Sequence, residues 1–251
     1  MIQVIKIGGG VLENEVQRNA FLRQFAAIEG PKVLVHGGGR LATTMAERMG
    51  IETHMIDGRR VTDKETLDIV TMVYGGLVNK QVVAQLQTMG VNAIGLTGAD
   101  GAWIKANKRP LRNGVDYGFV GDVTTVNGDF LHTLLNNGLT PVIAPITLSN
   151  EGLLLNTNAD TIASETAKSL VPDVQLTFCF EKAGVLSNPD DEQSVIPQIT
   201  QETYGQLLAD GTISGGMIPK IENAFAALAH GVKSVRITHA TNLQGGTIIK
   251  E

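Results

Sequence analysis

The sequence predicts an α/β protein built on a mostly parallel sheet. Three observations point there. Apolar runs of strand length end in glycines and give way to helical patterns, and this happens twice near the N-terminus, at Ile2–Gly10 and Lys32–Gly39. Such strand–glycine–helix units are the layout of a parallel sheet whose strand ends bind ligands. Glycine reaches 29 residues while aromatics are only 4%, a balance that favours aliphatic packing and many tight turns. A length of 251 residues fits one sheet-centred domain. No composition break or regular repeat divides it. Two lobes are expected, about 1–148 and 149–251, meeting near Pro145–Gly152.

Taken in order, Ile2–Ile7 is a buried strand interrupted by Lys6 and followed by Gly8-Gly9-Gly10. Bare backbone N–H groups beside a lysine suit a phosphate cradle; a snorkelling lysine at a tight turn is the plainer alternative. Glu13–Glu29 is helical, with Phe21, Phe25 and Ile28 on one face, and Gly30-Pro31 stops it. Lys32–Val35 is the second strand, ending in His36 and three glycines, and a helix runs over about Leu41–Met49. His36 is a base, a ligand or a satisfied strand-end histidine.

Thr62 reads as an N-cap, with Glu65 completing a capping box. The helix it opens runs to Gly75-Gly76, and a second helix follows over Leu77–Met89. Arg59-Arg60, just ahead of that cap, is either a carboxylate grip or a solvated pair. Val91–Leu96 is a strand, and Trp103–Leu111 reads as a polar hairpin turning at Asn107-Lys108. Phe119–Val123 leads into another strand, Asp129–Asn137 is a short helix, and Pro141–Ala144 is a core strand.

In Leu153–Asp160 the polar residues Asn156, Asn158 and Asp160 alternate, so an extended chain puts them on one face. A helix over Thr161–Leu170 follows. Polar groups at a helix start beside a strand end can orient an anion, although Asn and Asp are also common caps. Val174–Phe180 is a buried strand containing the single cysteine, Cys179, read as an inert thiol. An acidic loop at Asn188–Glu192 and a helix at Thr200–Leu208 come next. Ser214–Lys220 opens a longer helix that buries Ile221, Phe225 and Leu228 and ends at Gly231. Lys220 stands in its first turn, where the dipole disfavours a cation, which invites a bound phosphate as the reason. Ser234–Thr238 and Gly246–Ile249 are the last strands.

Several classes are disfavoured. The net charge is -5 with no basic block, so no nucleic-acid partner is expected. One cysteine makes no intrachain disulfide framework. No apolar stretch reaches spanning length and no signal peptide is recognisable, so no membrane partner and a cytoplasmic location are expected. Neither a Walker-type loop nor a dinucleotide fingerprint is present. No histidine spacing suggests a zinc site, and no metal-ligating residue is assigned.

The motifs KIGGG, VHGGG, GRRVTD, NTNAD and GGMIPK occur in this order from Lys6 to Lys220. Together they resemble the amino acid kinase superfamily, most closely its N-acylglutamate kinases. The resemblance implies a three-layer αβα sandwich. The N-lobe would bind the N-acylglutamate and form a homodimer; the C-lobe would bind ATP. It implies phosphoryl transfer from MgATP to the side-chain carboxylate of N-acetyl-L-glutamate in arginine biosynthesis, with Mg2+ held mainly by the phosphates. Lys6 and Lys220 would flank the migrating phosphoryl group, and Asp160 would hold both. Gly8, Gly9 and Gly38 would donate N–H groups to phosphoryl oxygens. Gly38, Gly39, Arg60, Asn156 and Asn158 would bind the substrate. Glu181, Lys182, Gly184, Val185, Leu186, Thr212, Ile213 and Ser214 would line the nucleotide pocket. Arginine-inhibited relatives carry an N-terminal helix ahead of the first strand; starting at Ile2, this chain is expected to be an arginine-insensitive dimer.

Some positions depart from the pattern. Arg40, Arg59 and Glu181-Lys182 stand where relatives commonly have other residue types. Arg40 and Arg59 would add positive charge near the substrate, which keeps a larger or anionic acyl group, such as N-succinyl-L-glutamate, as an alternative. Two further rivals are a superfamily kinase acting on aspartate, glutamate, carbamate or a nucleoside monophosphate, and a non-catalytic nucleotide or amino-acid sensor on the same fold.

Overall fold

In the order in which they pair across the main sheet, the strands are Gln198–Ile199, Thr247–Ile249, Ser234–His239, Val174–Phe180, Ile2–Ile7, Lys32–His36, Thr140–Ile143 and Ala93–Leu96. The computed structural model describes residues 1–56, 59–215 and 217–251, apart from the Pro219 side chain. Asp57, Gly58 of the GRRVTD stretch and Gly216 of the GGMIPK stretch lie outside the described residues. Every pairing in the sheet is parallel except that of Ser234–His239 with Thr247–Ile249. Parallel strands need covered faces, and both faces are covered here. Val4, Val33, Val35 and Leu176 pack with Ile162, Ile221 and Leu228 from the helices Ala159–Ser169 and Met217–Ala229. Ile5, Ile7 and Leu34 point the other way, onto Phe21, Phe25, Ala42 and Val70 of the helices Glu15–Ala26, Gly39–Arg48 and Lys64–Val70. Alternation along each strand thus produces the expected αβα layering.

The register aligns the strand ends. Ile7 stands opposite both His36 and Cys179. The turns after Ile7, His36 and Phe180 therefore lie side by side at the carboxyl edge of the sheet. From the strand Ile2–Ile7 the chain winds first to one side and later, from Val174, to the other. That reversal is where open α/β sheets form a ligand crevice.

A smaller sheet of Leu154–Asn156, Ile146–Leu148, Ile104–Lys108 and Gly121–Val126 flanks the crevice. Its geometry corrects the predicted hairpin. Asn107 and Lys108 do not turn; they continue the strand Ile104–Lys108, which pairs with Gly121–Val126. Arg109 N–H donates to Val120 O, and the chain turns beyond it through the Arg112–Val115 bridge.

Three helix boundaries also differ. The first predicted helix is two, Gly9–Glu13 and Glu15–Ala26, because Asn14 caps the second with its side chain. Asp63, not Thr62, caps the helix Lys64–Val70, its carboxylate accepting from Thr66 N–H. Thr62 is instead buried and bridges to Gly118. Gly75-Gly76 does not end that helix. It runs on through a π-helical stretch, Thr71–Val78, into Asn79–Thr88; such wide turns gather at functional sites.

Candidate active site

Lys6 is the last inward-facing residue of its strand, on the face that carries Val4. It is 9% exposed. Across that face the helix Ala159–Ser169 begins, capped by Asn158, whose Oδ1 accepts from the N–H groups of Asp160 and Thr161. Asp160 sits in the first turn, where a carboxylate is favoured by the helix dipole. The Lys6 ammonium lies 2.8 Å from Asp160 Oδ1. Lys220, in the first turn of Met217–Ala229, reaches the same place: its ammonium and that of Lys6 are 3.7 and 5.5 Å from the centre of the Phe180 ring. Burial holds Lys220 below the ordinary lysine value; Lys6 pushes it the same way, while Asp160 and Glu181 oppose. The three residues expected to carry the chemistry therefore meet in space. Asn158 serves as the cap, so Asn156, Asn158 and Asp160 do not share one extended face.

The glycine loops pack backbone against backbone. A Cβ on Gly9 would stand 3.2 Å from Gly38 N, and one on Gly38 would stand 2.9 Å from the Tyr74 ring. Only glycine permits both approaches. Two cavities open from these loops. Gly37, Gly38 and Gly39 line the first, and Gly8, Gly9, Gly10 and Gly39 line the second. They thus share a border at Gly39.

The first cavity holds Arg59, Arg60, Tyr74, Arg109, Asn156 and Asn158. Arg60 Nη2 donates to Gly39 O and Thr43 Oγ1, at 2.9 and 2.8 Å, while its Nη1 is buried without a partner among the described residues. An unpaired guanidinium N–H of this kind suits a carboxylate. Asn156 donates to Thr62 Oγ1. Arg109 pairs with Asp122 through Nε and Nη2, and its Nη1 is likewise left over.

The second cavity, about 460 Å³, is lined by Glu181, Lys182, Gly184 and Lys220 among others. The remaining predicted nucleotide residues do not line it. Val185, Leu186 and Ile213 are buried; Val185 and Ile213 belong to the main core. Thr212 N–H caps onto Asp210 Oδ1, and Ser214 is exposed outside the cavity. Arg40 also differs from expectation. It lines this cavity rather than the first, 3.6 Å from Glu181. Only Arg59 of the two extra arginines therefore adds charge to the first cavity.

His36 is fully buried. Its Nδ1 pairs with Gly37 O at 2.8 Å and its Nε2 with Asn79 Nδ2 at 3.1 Å. Burial pushes it down to about 4, so it is a neutral, satisfied strand-end histidine that steadies the glycine turn. Cys179 is buried and its thiol pushed up to about 12, which removes it as a nucleophile.

Comparison with known proteins decides the ancestry. The model of the Amino acid kinase family matches residues 1–239. The chain belongs to that family. An acetylglutamate kinase of Phocaeicola vulgatus is 56% identical over 100% of this chain and 98% of its own. Another, from Methanopyrus kandleri, is 40% identical over 99% of this chain and 100% of its own. A Streptococcus mutans protein of known crystal structure superposes with a TM-score of 0.78 at 32% identity, covering 99% of this chain and 98% of that one. In this amino acid kinase, sequence reading missed three residues of the crevice: Tyr74, Arg109 and Phe180. Nothing local marks them; each enters through packing from a distant segment. Among the described residues, no group of three or more His, Cys, Asp or Glu side chains clusters to hold a metal ion, and Asp160 is engaged by Lys6.

Proposed function

We propose that the chain transfers the γ-phosphoryl group of ATP to the side-chain carboxylate of N-acetyl-L-glutamate, yielding N-acetyl-L-glutamyl 5-phosphate and ADP, a step of arginine biosynthesis. The observation that carries this reading is the whole-length likeness to acetylglutamate kinases, supported by the meeting of Lys6, Asp160 and Lys220 at the Phe180 ring, with Lys220 also lining the second cavity. The acylated amino acid fits the first cavity, its α-carboxylate on the unpaired N–H of Arg60. ATP fits the second, beside Glu181, Lys182 and Gly184.

The chemistry asks for little beyond positioning. A carboxylate nucleophile is already ionised at neutral pH, so no general base is required, and the one buried histidine is neutral and committed. The obstacle is repulsion between an anion and a polyanion. Two ammonium groups and the N–H donors of Gly8, Gly9 and Gly38 would meet the charge that spreads over the phosphoryl oxygens. Among the described residues no cluster of His, Cys, Asp and Glu side chains forms a metal cage, and we take Mg2+ to arrive on the triphosphate as part of the substrate. Holding the two reactants across the Gly39 border supplies the alignment. We read residues 1–148 and 149–251 as the acylglutamate and nucleotide lobes, and the working form as a cytoplasmic homodimer.

A coupled assay of ADP release with N-acetyl-L-glutamate tests the reading, with N-succinyl-L-glutamate, glutamate, aspartate and carbamate alongside. Turnover with N-acetyl-L-glutamate and none with the unacylated acids is expected. No ADP release with N-acetyl-L-glutamate would sink it.

A further inference from the structure

Phe180 occupies an unusual place. It is the last residue of the strand Val174–Phe180. Phe178 pairs with Lys6, and alternation puts Phe180 on the same face, one step beyond. The Phe178 ring stacks on it at 6.2 Å, which limits its freedom. The ring borders both the nucleotide cavity and the small recess shared by Asp160 and Lys220. Both ammonium groups of the crevice lie within cation–π range of it, Lys220 at 3.7 Å and Lys6 at 5.5 Å.

Two like charges so close repel; Asp160 pairs directly with Lys6, and it and Glu181 favour the charged form of Lys220. A second carboxylate would relieve the repulsion, but it would also consume N–H donors and repel incoming phosphate. An aromatic face does neither. Its negative quadrupole attracts an ammonium without accepting a conventional hydrogen bond. The N–H groups of Lys220 that point away from the ring remain available to phosphoryl oxygens.

We infer that Phe180 is a positioning residue, whose ring face holds the Lys220 ammonium charged and aimed into the crevice. The inference rests on the reading that Lys6 and Lys220 serve phosphoryl transfer. It concerns a ring that never touches the transferred group and acts only through the lysine.

The experiment replaces Phe180 with mono-, di- and trifluorophenylalanine, which keep the shape and progressively remove the quadrupole. The expected result is a stepwise fall in kcat, about tenfold across the series, with the KM for N-acetyl-L-glutamate unchanged. Phe180→Leu should match the weakest member, while Phe180→Tyr and Phe180→Trp should stay within about twofold of the parent. A second readout is the pH dependence of amine labelling at Lys220, followed by peptide mass spectrometry. Its midpoint should move down as fluorine is added. A flat series in both readouts, with the parent enzyme active, overturns the role of Phe180. An inactive parent enzyme instead overturns the reading of the site, and the labelling series still reports on the ring.

Discussion

Lys6 and Asp160 come from opposite halves of the chain and stand 2.8 Å apart. The strand Ile2–Ile7 brings the ammonium to the sheet edge, and the Asn158 cap fixes where the carboxylate's helix begins. The pair is the hinge of the proposed chemistry, because it sets the Lys6 ammonium beside Asp160 and the Phe180 ring that Lys220 also faces. Lys6→Ala should leave the fold intact by circular dichroism and lower kcat at least about a hundredfold, since a preorganised donor to the reacting oxygens is worth ~3–4 kcal/mol. Near-normal kcat would remove Lys6 from the reaction.

Asp160→Asn keeps the shape and deletes the charge. Lys6 and Lys220 then face each other with less neutralisation, and Lys220, already held low by burial, should lose its proton more readily. We expect kcat to fall about tenfold or more, roughly the 1.4 kcal/mol of one pKa step. The alkaline limb of the pH–kcat profile should also move to lower pH. An unmoved limb would mean that Asp160 does not govern the charge of Lys220.

The first cavity, where the acylated amino acid is proposed to sit, separates binding from chemistry. Arg60 and Arg109 each keep one buried N–H without a partner among the described residues. A hydrogen bond to a charged group contributes ~1.5–3 kcal/mol. Arg60→Gln should therefore raise the KM for N-acetyl-L-glutamate by roughly ten- to a hundredfold and leave the KM for ATP within about twofold. Arg109→Gln should raise the same KM by a smaller factor, because Asp122 already balances its charge. Equal effects on both substrates would point to general loosening of the lobe.

How much of this was legible in the sequence depends on how local each signal was. Strands ending in glycine announced the sheet, its parallel layout and the two loops at its edge, because run length and glycine chemistry are read within ten residues. Lys6 and Lys220 stood out singly, as cations where cations are not expected. Their meeting with Asp160 was supplied by family likeness, since nothing local places them together. Phe180, Tyr74 and Arg109 were invisible for the same reason. The predicted turn at Asn107-Lys108 failed because the exposed polar end of a strand in a small sheet resembles a hairpin tip. Gly75-Gly76 failed as a helix stop because π-helical geometry carries the chain past both glycines. Thr212–Ser214 came from likeness alone, and here Ile213 turns into the core.

His36 supplies a pH signature of stability. The native imidazole stays neutral down to about pH 4, while an unfolded histidine takes up its proton near 6.5. As pH falls through that interval the unfolded chain binds a proton the native state refuses, so stability drops, by roughly 3 kcal/mol over the whole window. Above pH 7 the term vanishes. Urea unfolding at pH 7 and pH 5 should show most of a unit step per pH in this range, and His36→Gln should flatten the slope whatever its absolute stability. An equal slope in the variant would assign the loss to other groups.

Cys179 borders the second cavity, yet its side chain is fully buried. The contact runs through the backbone, whose carbonyl would lie 3.8 Å from a Cβ on Gly8. With its thiol pushed up to about 12, almost no thiolate exists at pH 8, and thiolate is the reactive form. A disulfide reagent such as dithionitrobenzoate should leave the native protein unlabelled over hours and label one thiol per chain once denatured. Labelling should follow the opening of the central strand, among the last elements to open. ATP should slow it only insofar as it stabilises the whole fold. Rapid labelling of the native protein that ATP blocks at once would instead put the sulfur on the cavity wall.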